Sequence, residues 1–247
     1  LLLGMISLYF YSGIESFNLI ALIKAAPTIT GELWGFQVKY LIWLALFIGF
    51  AIKVPIFPFH TWLPLAHVEA PTSISVILAG VLLKMGTYGL LRISYPLLPS
   101  EAIAFSYTLA VLAVINIIWG ATNAIAQRDL KKMVAYSSIS HMGYVLMGIA
   151  TLEHLGLSGA NLQMFSHGVM TALFFAVVGA IYERTHVRDI GILNGLAKRM
   201  RFTTIFFVLA GLASLGLPGL SGFIAEVLVF MGAFRTEPIR TQMTDMS

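Results

Sequence analysis

The sequence predicts an all-α, polytopic membrane protein, and three observations predict it. Charge is scarce: 11% of the 247 residues are Asp, Glu, Lys or Arg, while 58% are hydrophobic. Soluble domains carry roughly 25% charged residues, so this chain cannot furnish a soluble fold with its polar shell. Apolar runs of spanning length recur along it, about 20 residues being enough to cross the hydrocarbon core. The basic residues gather in short connections between those runs. The mean hydropathy is +0.88.

These properties also exclude functions. The net charge of +4 sits in inter-helical loops, so it is no nucleic-acid signal. The absence of cysteine excludes disulfides, thiolate metal sites and cysteine nucleophiles. There is no phosphate loop, no dinucleotide fingerprint and no nucleophile with a base, so no bond-making chemistry is expected of this chain alone.

The opening "LLLGMISLYF" lacks a basic n-region and reads as the tail of a helix, not as a signal peptide. The closing "RTEPIRTQMTDMS" is polar. The expectation is a single transmembrane domain over 1–247, truncated at both ends, with about seven helices. Spans are expected at 1–11, 37–54, 72–93, 103–126, 133–150 and 158–182. A last apolar stretch, 203–233, is too long for one plain span.

The loop 127–132 holds three basic residues and 183–201 holds five, while 151–158 between them holds none. Two spans separate the rich loops, so both lie on one side, assigned as inside. Loops 24–38 and 94–102 then fall outside.

Two segments contain helix breakers. Lys53 ends an apolar run, and Pro55, Pro58 and Pro64 follow, placing a break near 53–65. The run "LGLPGLSG" places another near 216–222. Paired interrupted helices point to an inverted-repeat transporter and its site. Backbone groups freed at membrane depth must be satisfied by protein or water, so a polar cavity is expected at each break.

Five ionisable residues lie within apolar runs: Lys53, Lys84, His141, His167 and Glu226. A charge at the bilayer centre costs at least about 2.5–3.5 kcal/mol on insertion scales, so such residues usually mark an ion or proton path. Each also has a plainer reading. The lysines can be helix-end or packing residues, the histidines helix–helix hydrogen-bonding groups, and Glu226 a cap for amides freed near Gly219 and Gly222. A lysine held between burial and a nearby carboxylate can load and release a proton, and histidine titrates near neutral pH. If the helices bundle, the five can form a lateral chain at mid-membrane. No metal site is expected. His141 and His167 lack local partners, and His60 and His67 have only Glu69 nearby.

The motifs "FAIKVPIFPFHTWLPLAHVEAPTSISVILAGVLLKMGTYGLLR", "RDLKKMVAYSSISHMGYVLMGIA", "QMFSHGV" and "LGLPGLSGFIAE" resemble the antiporter-like membrane subunits of respiratory complex I, over nearly the whole chain. Glu226 gives the resemblance its lean toward the subunit 4 branch, because sister subunits usually carry lysine there. The resemblance implies a fourteen-helix fold with two inverted five-helix repeats, of which this chain covers roughly the sixth to twelfth helices. It implies proton transfer through Lys53 in the input half, Lys84 as connector, His141 and His167 on the central axis, and Glu226 near the exit. A glutamate partner for Lys53 is implied on the fifth helix, which is absent here. Leu65 departs from the Asp of many bacterial relatives.

The function expected is that of a proton-translocating membrane-arm subunit of an NADH or ferredoxin:quinone oxidoreductase, with no redox centre and no cofactor in this chain. The implied partners are other membrane-arm subunits, lipid and protons, with quinone and NADH or ferredoxin met only through other subunits. The implied place is a bacterial inner, thylakoid or mitochondrial inner membrane. Two alternatives stand beside it. One is a subunit of a multisubunit Na⁺/H⁺ antiporter or membrane-bound hydrogenase, and the other is a passive membrane scaffold.

Overall fold

The computed structural model describes residues 1–14 and 16–236. The polar C-terminal stretch from 237 lies outside the described residues. The elements are α1 (Leu2–Ser12), α2 (Leu19–Ala25), β1 (Glu32–Leu33), β2 (Phe36–Gln37), α3 (Val38–Lys53) and α4 (Trp62–Glu69). A long helix α5 (Thr72–Leu97) follows. The rest are α6 (Pro99–Ile125), α7 (Leu130–Ala150), α8 (His154–Thr185), α9 (Leu196–Arg199), α10 (Arg201–Ser214) and α11 (Ser221–Arg235).

The helices run longer than the apolar runs alone predicted, because polar caps start them early. The Asp129 side chain accepts from the amides of Lys131 and Lys132, so α7 begins at residue 130 and not 133. Glu153 does the same for Leu155 and Gly156, so α8 begins at 154 and not 158. Pro99 opens α6, where its missing N–H costs nothing.

The expected outside loop 24–38 is not bare. Asn18 caps the short helix α2, and β1 pairs antiparallel with β2. Their two-residue turn has positive φ at Trp34 (53°) and Gly35 (81°), the handedness that matches strand twist.

Among the described residues three helices, α5, α6 and α8, are long and apolar enough to cross a membrane. Central α7 carries Ser137, Ser138, Ser140 and His141, and most of its residues are buried. It packs against α4, α6, α8 and α11. Its polar groups therefore face helices instead of lipid, the arrangement that makes them tolerable at membrane depth. Large apolar side chains such as Ile118, Ile125, Phe165 and Phe202 project outward from the bundle, as lipid contact requires.

Two large packed clusters and a small one at Leu63, Leu83 and Ile139 hold the described bundle. One large cluster joins Trp43, Leu46, Phe47, Leu109 and Leu146 across α3, α6 and α7. The other joins Val134, Phe174, Phe175 and Ala210 across α7, α8 and α10. Small residues let backbones approach: a Cβ at Gly120 would stand 2.5 Å from the Ser140 amide nitrogen. That is the close contact on which helix association in lipid depends.

Candidate functional site

The site is organised by two interruptions. At the first, α3 stops at Lys53 and α4 starts at Trp62. Pro55 and Pro58 cannot donate, and the helical ladder between them is lost. Asn116, buried midway along α6, closes the gap from both directions. Its Oδ1 accepts from the Phe57 amide at 2.8 Å, and its Nδ2 donates to the Pro55 carbonyl at 3.2 Å. Trp62 Nε1 donates to the Ile52 carbonyl at 2.8 Å, and Trp119 Nε1 donates to His60 Nε2 at 3.0 Å. The backbone groups of this break are thus held by an amide and an indole, which do not titrate.

Lys53 is the last residue of α3 and is half-buried. The freed carbonyls at a helix C-terminus favour a cation there. Its Cβ would lie 3.1 Å from a Cβ built on Gly86, so the end of α3 packs beside the turn of α5 that carries Lys84. Lys84 follows a π-helical turn at Leu78–Leu82. Such turns widen the helix and recur at functional sites. Lys84 Nζ donates to the carbonyl of Ala79, within that turn. Lys84 also lines a cavity of about 610 Å³ with Gly80, Met164, Phe165 and Gly168. The exposure of Val81, Tyr88, Phe165 and Val169 opens this cavity on the outer face of the bundle.

At the second interruption, α10 stops at Ser214 and α11 starts at Ser221. Gly216 and Gly219, with φ of 64° and 99°, make the turn that other residues would resist. Here the bracing side chains are different. His141 Nε2 lies 3.0 Å from Ser214 Oγ, and Ser166 Oγ lies 2.8 Å from Ser221 Oγ. His141 Nδ1 lies 3.8 Å from Glu226 Oε1, an ion pair whenever the ring is protonated. Gln163 Nε2 is 3.4 Å from the same ring nitrogen. The His141 and His167 rings stand 5.5 Å apart. His167 is fully buried, and neither of its ring nitrogens meets a partner among the described residues.

Of the five residues the sequence singles out, His141 and Glu226 meet at the second break, and His167 stands beside His141. Lys84 stands on the facing helix beside Gly168, the neighbour of His167. Lys53 stands at the first break and has no ion-pair partner among the described residues. The Glu226 carboxylate also lies close to Gly216, its Oε2 2.7 Å from where a Cβ would sit, so it does border the turn.

Sequence reasoning passed over Asn116, Ser214 and Ser221. The signal for Asn116 was present, an amide in the middle of the apolar run "AVINIIWG". In the sequence His67 stands out only as a possible metal ligand. It is fully buried on α4, stacked 4.3 Å from the Phe175 ring, with both nitrogens unpartnered among the described residues. No cluster of three potential metal ligands occurs among the described residues.

Helices interrupted at membrane depth, with ionisable side chains buried beside the breaks, define a polytopic membrane protein of the broken-helix class. Comparison with known proteins narrows the class. A family profile described as "NADH:quinone oxidoreductase/Mrp antiporter, TM" matches residues 1–246, and the chain belongs to that family. NADH-quinone oxidoreductase subunit M of Rickettsia felis is 49% identical over 234 residues, covering 95% of this chain and 46% of that protein. NAD(P)H-quinone oxidoreductase chain 4 1 of Synechococcus elongatus is 53% identical over 199 residues, 78% of this chain and 37% of that one. The chain therefore spans about half the length of the curated relatives it matches.

Among solved structures, a chain of respiratory complex I from Thermus thermophilus with bound NADH superposes with a TM-score of 0.85 at 32% identity. The match covers 96% of this chain and 49% of that one. A chain of an archaeal membrane-bound sulfane sulfur reductase has the same fold, with a TM-score of 0.82 at 23% identity, covering 96% of this chain and 48% of that one.

Proposed function

We propose that this chain is part of a proton-translocating membrane subunit of a quinone oxidoreductase of the complex I type. Protons move between Lys53, Lys84, His167, His141 and Glu226 at mid-membrane while quinone is reduced in other subunits. The observation that carries the reading is the contact of His141 with both Glu226 and Ser214 at the second break. There, a change in protonation and a change in helix geometry involve the same atoms. The names of the relatives support the oxidoreductase side of the reading, and other subunits of such a complex are the partners it implies.

The test uses proteoliposomes holding the whole complex. Lys84→Met is expected to lower proton uptake at least about tenfold, equivalent to 1.4 kcal/mol on the barrier, with assembly intact. Unchanged uptake and unchanged turnover would reduce the buried polar residues to structure and favour the scaffold. Lys53→Arg carries a charge that does not titrate, so normal pumping by that variant would remove Lys53 from the path.

The family description itself includes Mrp antiporters, which keeps a sodium-linked second reading in view. Sodium dependence of proton movement, in the absence of any quinone, would select it.

A further inference from the structure

At the face the basic loops assign as inside, the ends of four helices surround a pocket of about 190 Å³ that the mechanism above does not use. Lys131 enters it from the first turn of α7, and Arg188 from the loop after α8. Thr72 sits at the start of α5, Tyr182 lies on the last turns of α8, and Glu69 stands on the rim. The two loops are tied together by an antiparallel bridge at Asp129 and Asp189. Leu130 N donates to the Arg188 carbonyl at 3.0 Å and Ile190 N to the Arg128 carbonyl at 2.9 Å. The strap fixes both cations in place before any ligand arrives.

Lys131 is 4% exposed. Its ammonium donates to the Ala70 carbonyl at 2.6 Å, which leaves two of its three donors free of that bond. Arg188 Nη1 donates to the Val68 carbonyl at 3.2 Å, and its guanidinium lies 4.2 Å from the centre of the Tyr182 ring. That stacking and single bond leave most of its fork available. Neither cation has a carboxylate at salt-bridge distance among the described residues. Asp129 spends its Oδ1 on the amides of Lys131 and Lys132. Lys131 precedes the apolar part of its helix. Burial and the nearby Arg188 lower its proton affinity from the usual lysine value, against a smaller raising effect of Asp129. Glu69 is the one carboxylate among the lining residues, against the two cations, so the pocket carries a net positive charge. Helix α5 opens into it with Pro71 at the cap and no side chain bonding its first amides, and those amides add to the pull on an anion.

We propose that this pocket binds a phosphate group at the inside membrane surface. Basic pockets between spanning helices on this side suit lipid headgroups. An arginine fork beside a lysine suits a tetrahedral oxyanion. The phosphate replaces the missing counter-charge between Lys131 and Arg188. It thereby ties the end of α4, the second half of the first broken helix, to the loops of α7 and α8. The proposal rests on membrane orientation and not on proton transfer, so it survives loss of the pumping reading.

The experiment uses the whole complex, stripped of lipid in detergent. It is offered phosphatidylcholine vesicles containing a photo-crosslinker near the headgroup of either phosphatidylglycerol or phosphatidylcholine. Wild type is expected to label peptides around Glu69–Thr72 and Tyr182–Arg188 only with the anionic probe. Arg188→Gln should lower that labelling about tenfold, and Arg188→Lys should keep most of it, charge being the larger part of phosphate recognition. If Arg188→Gln fails to assemble, labelling of wild type is competed with inorganic phosphate, and retention of radiolabelled phosphate is counted. Competition with stoichiometric retention assigns the site to free phosphate, whereas anionic labelling that resists phosphate assigns it to lipid. No anionic labelling of these peptides and no retained phosphate in wild type would overturn the proposal.

Discussion

The two interruptions of this bundle solve one problem with different chemistry. Both free backbone groups at membrane depth, where each unsatisfied group is costly. At the first, Asn116 binds a freed amide and a freed carbonyl at once, and Trp62 takes a third group. None of those bonds changes with proton uptake. At the second, the freed backbone closes on itself, Leu217 N donating to the Leu212 carbonyl and Leu220 N to the Leu217 carbonyl, and the side chains beside it cluster on His141, which meets Ser214, Gln163 and Glu226. A histidine at such a place changes its donors and acceptors when it gains a proton. The Asn116 and Trp62 braces of the first break do not titrate, whereas the second places a histidine where charge and shape can be exchanged. Substitutions of the Asn116 and Trp62 braces at the first break should therefore act on stability, and substitutions around His141 at the second on activity.

The largest effect is expected of Asn116→Leu. It leaves the Phe57 amide and the Pro55 carbonyl without partners. At about 1–3 kcal/mol for each orphaned group, the loss is about 2–6 kcal/mol. Thermal aggregation of the solubilised complex should begin at lower temperature, while proton uptake per assembled complex stays normal. Normal thermal behaviour would show that the break does not need its amide brace.

Gly89→Ala comes next. A Cβ at Gly89 would meet the ring of Phe50 on α3. Overpacking of this kind costs about 1–3 kcal/mol, again read in thermal aggregation with uptake per complex retained.

Ser214→Ala removes one neutral hydrogen bond from His141, worth about 0.5–1.5 kcal/mol. Its stability effect should be the smaller, but the pH dependence of proton uptake should move, since the ring loses a partner that responds to its tautomer. An unmoved pH profile would weaken the contrast between the two breaks.

Glu226→Gln is expected to change stability least, because the amide keeps the shape and the polar contact with His141. Proton uptake should nevertheless fall by about tenfold or more, a barrier change of about 1.4 kcal/mol. If this variant lowers thermal stability as Asn116→Leu does and pumps normally once assembled, the comparison is broken.

Much of this was legible in one dimension. Prolines and glycines at 55, 58, 216 and 219 mark the breaks because they act on the backbone locally, through a missing donor or a permitted φ. Lys84, His141, His167 and Glu226 stand out because an ionisable group within an apolar run is conspicuous whatever surrounds it. Asn116 was less visible, since one amide in a span reads as ordinary helix-to-helix glue until the chain 59 residues earlier is seen to end on it.

Membrane residence, the order of the helices and the positions of the breaks follow from local properties of the chain: transfer energies, backbone permissions and the placement of charge. Pairings do not. That Asn116 serves the first break and His141 the second, that Glu226 meets His141 while Lys53 meets no acid among the described residues, and that Lys131 and Arg188 converge on one pocket are matters of distance between segments far apart in sequence. Only helix packing, which sets those distances through shape and close contact of small residues, decides them.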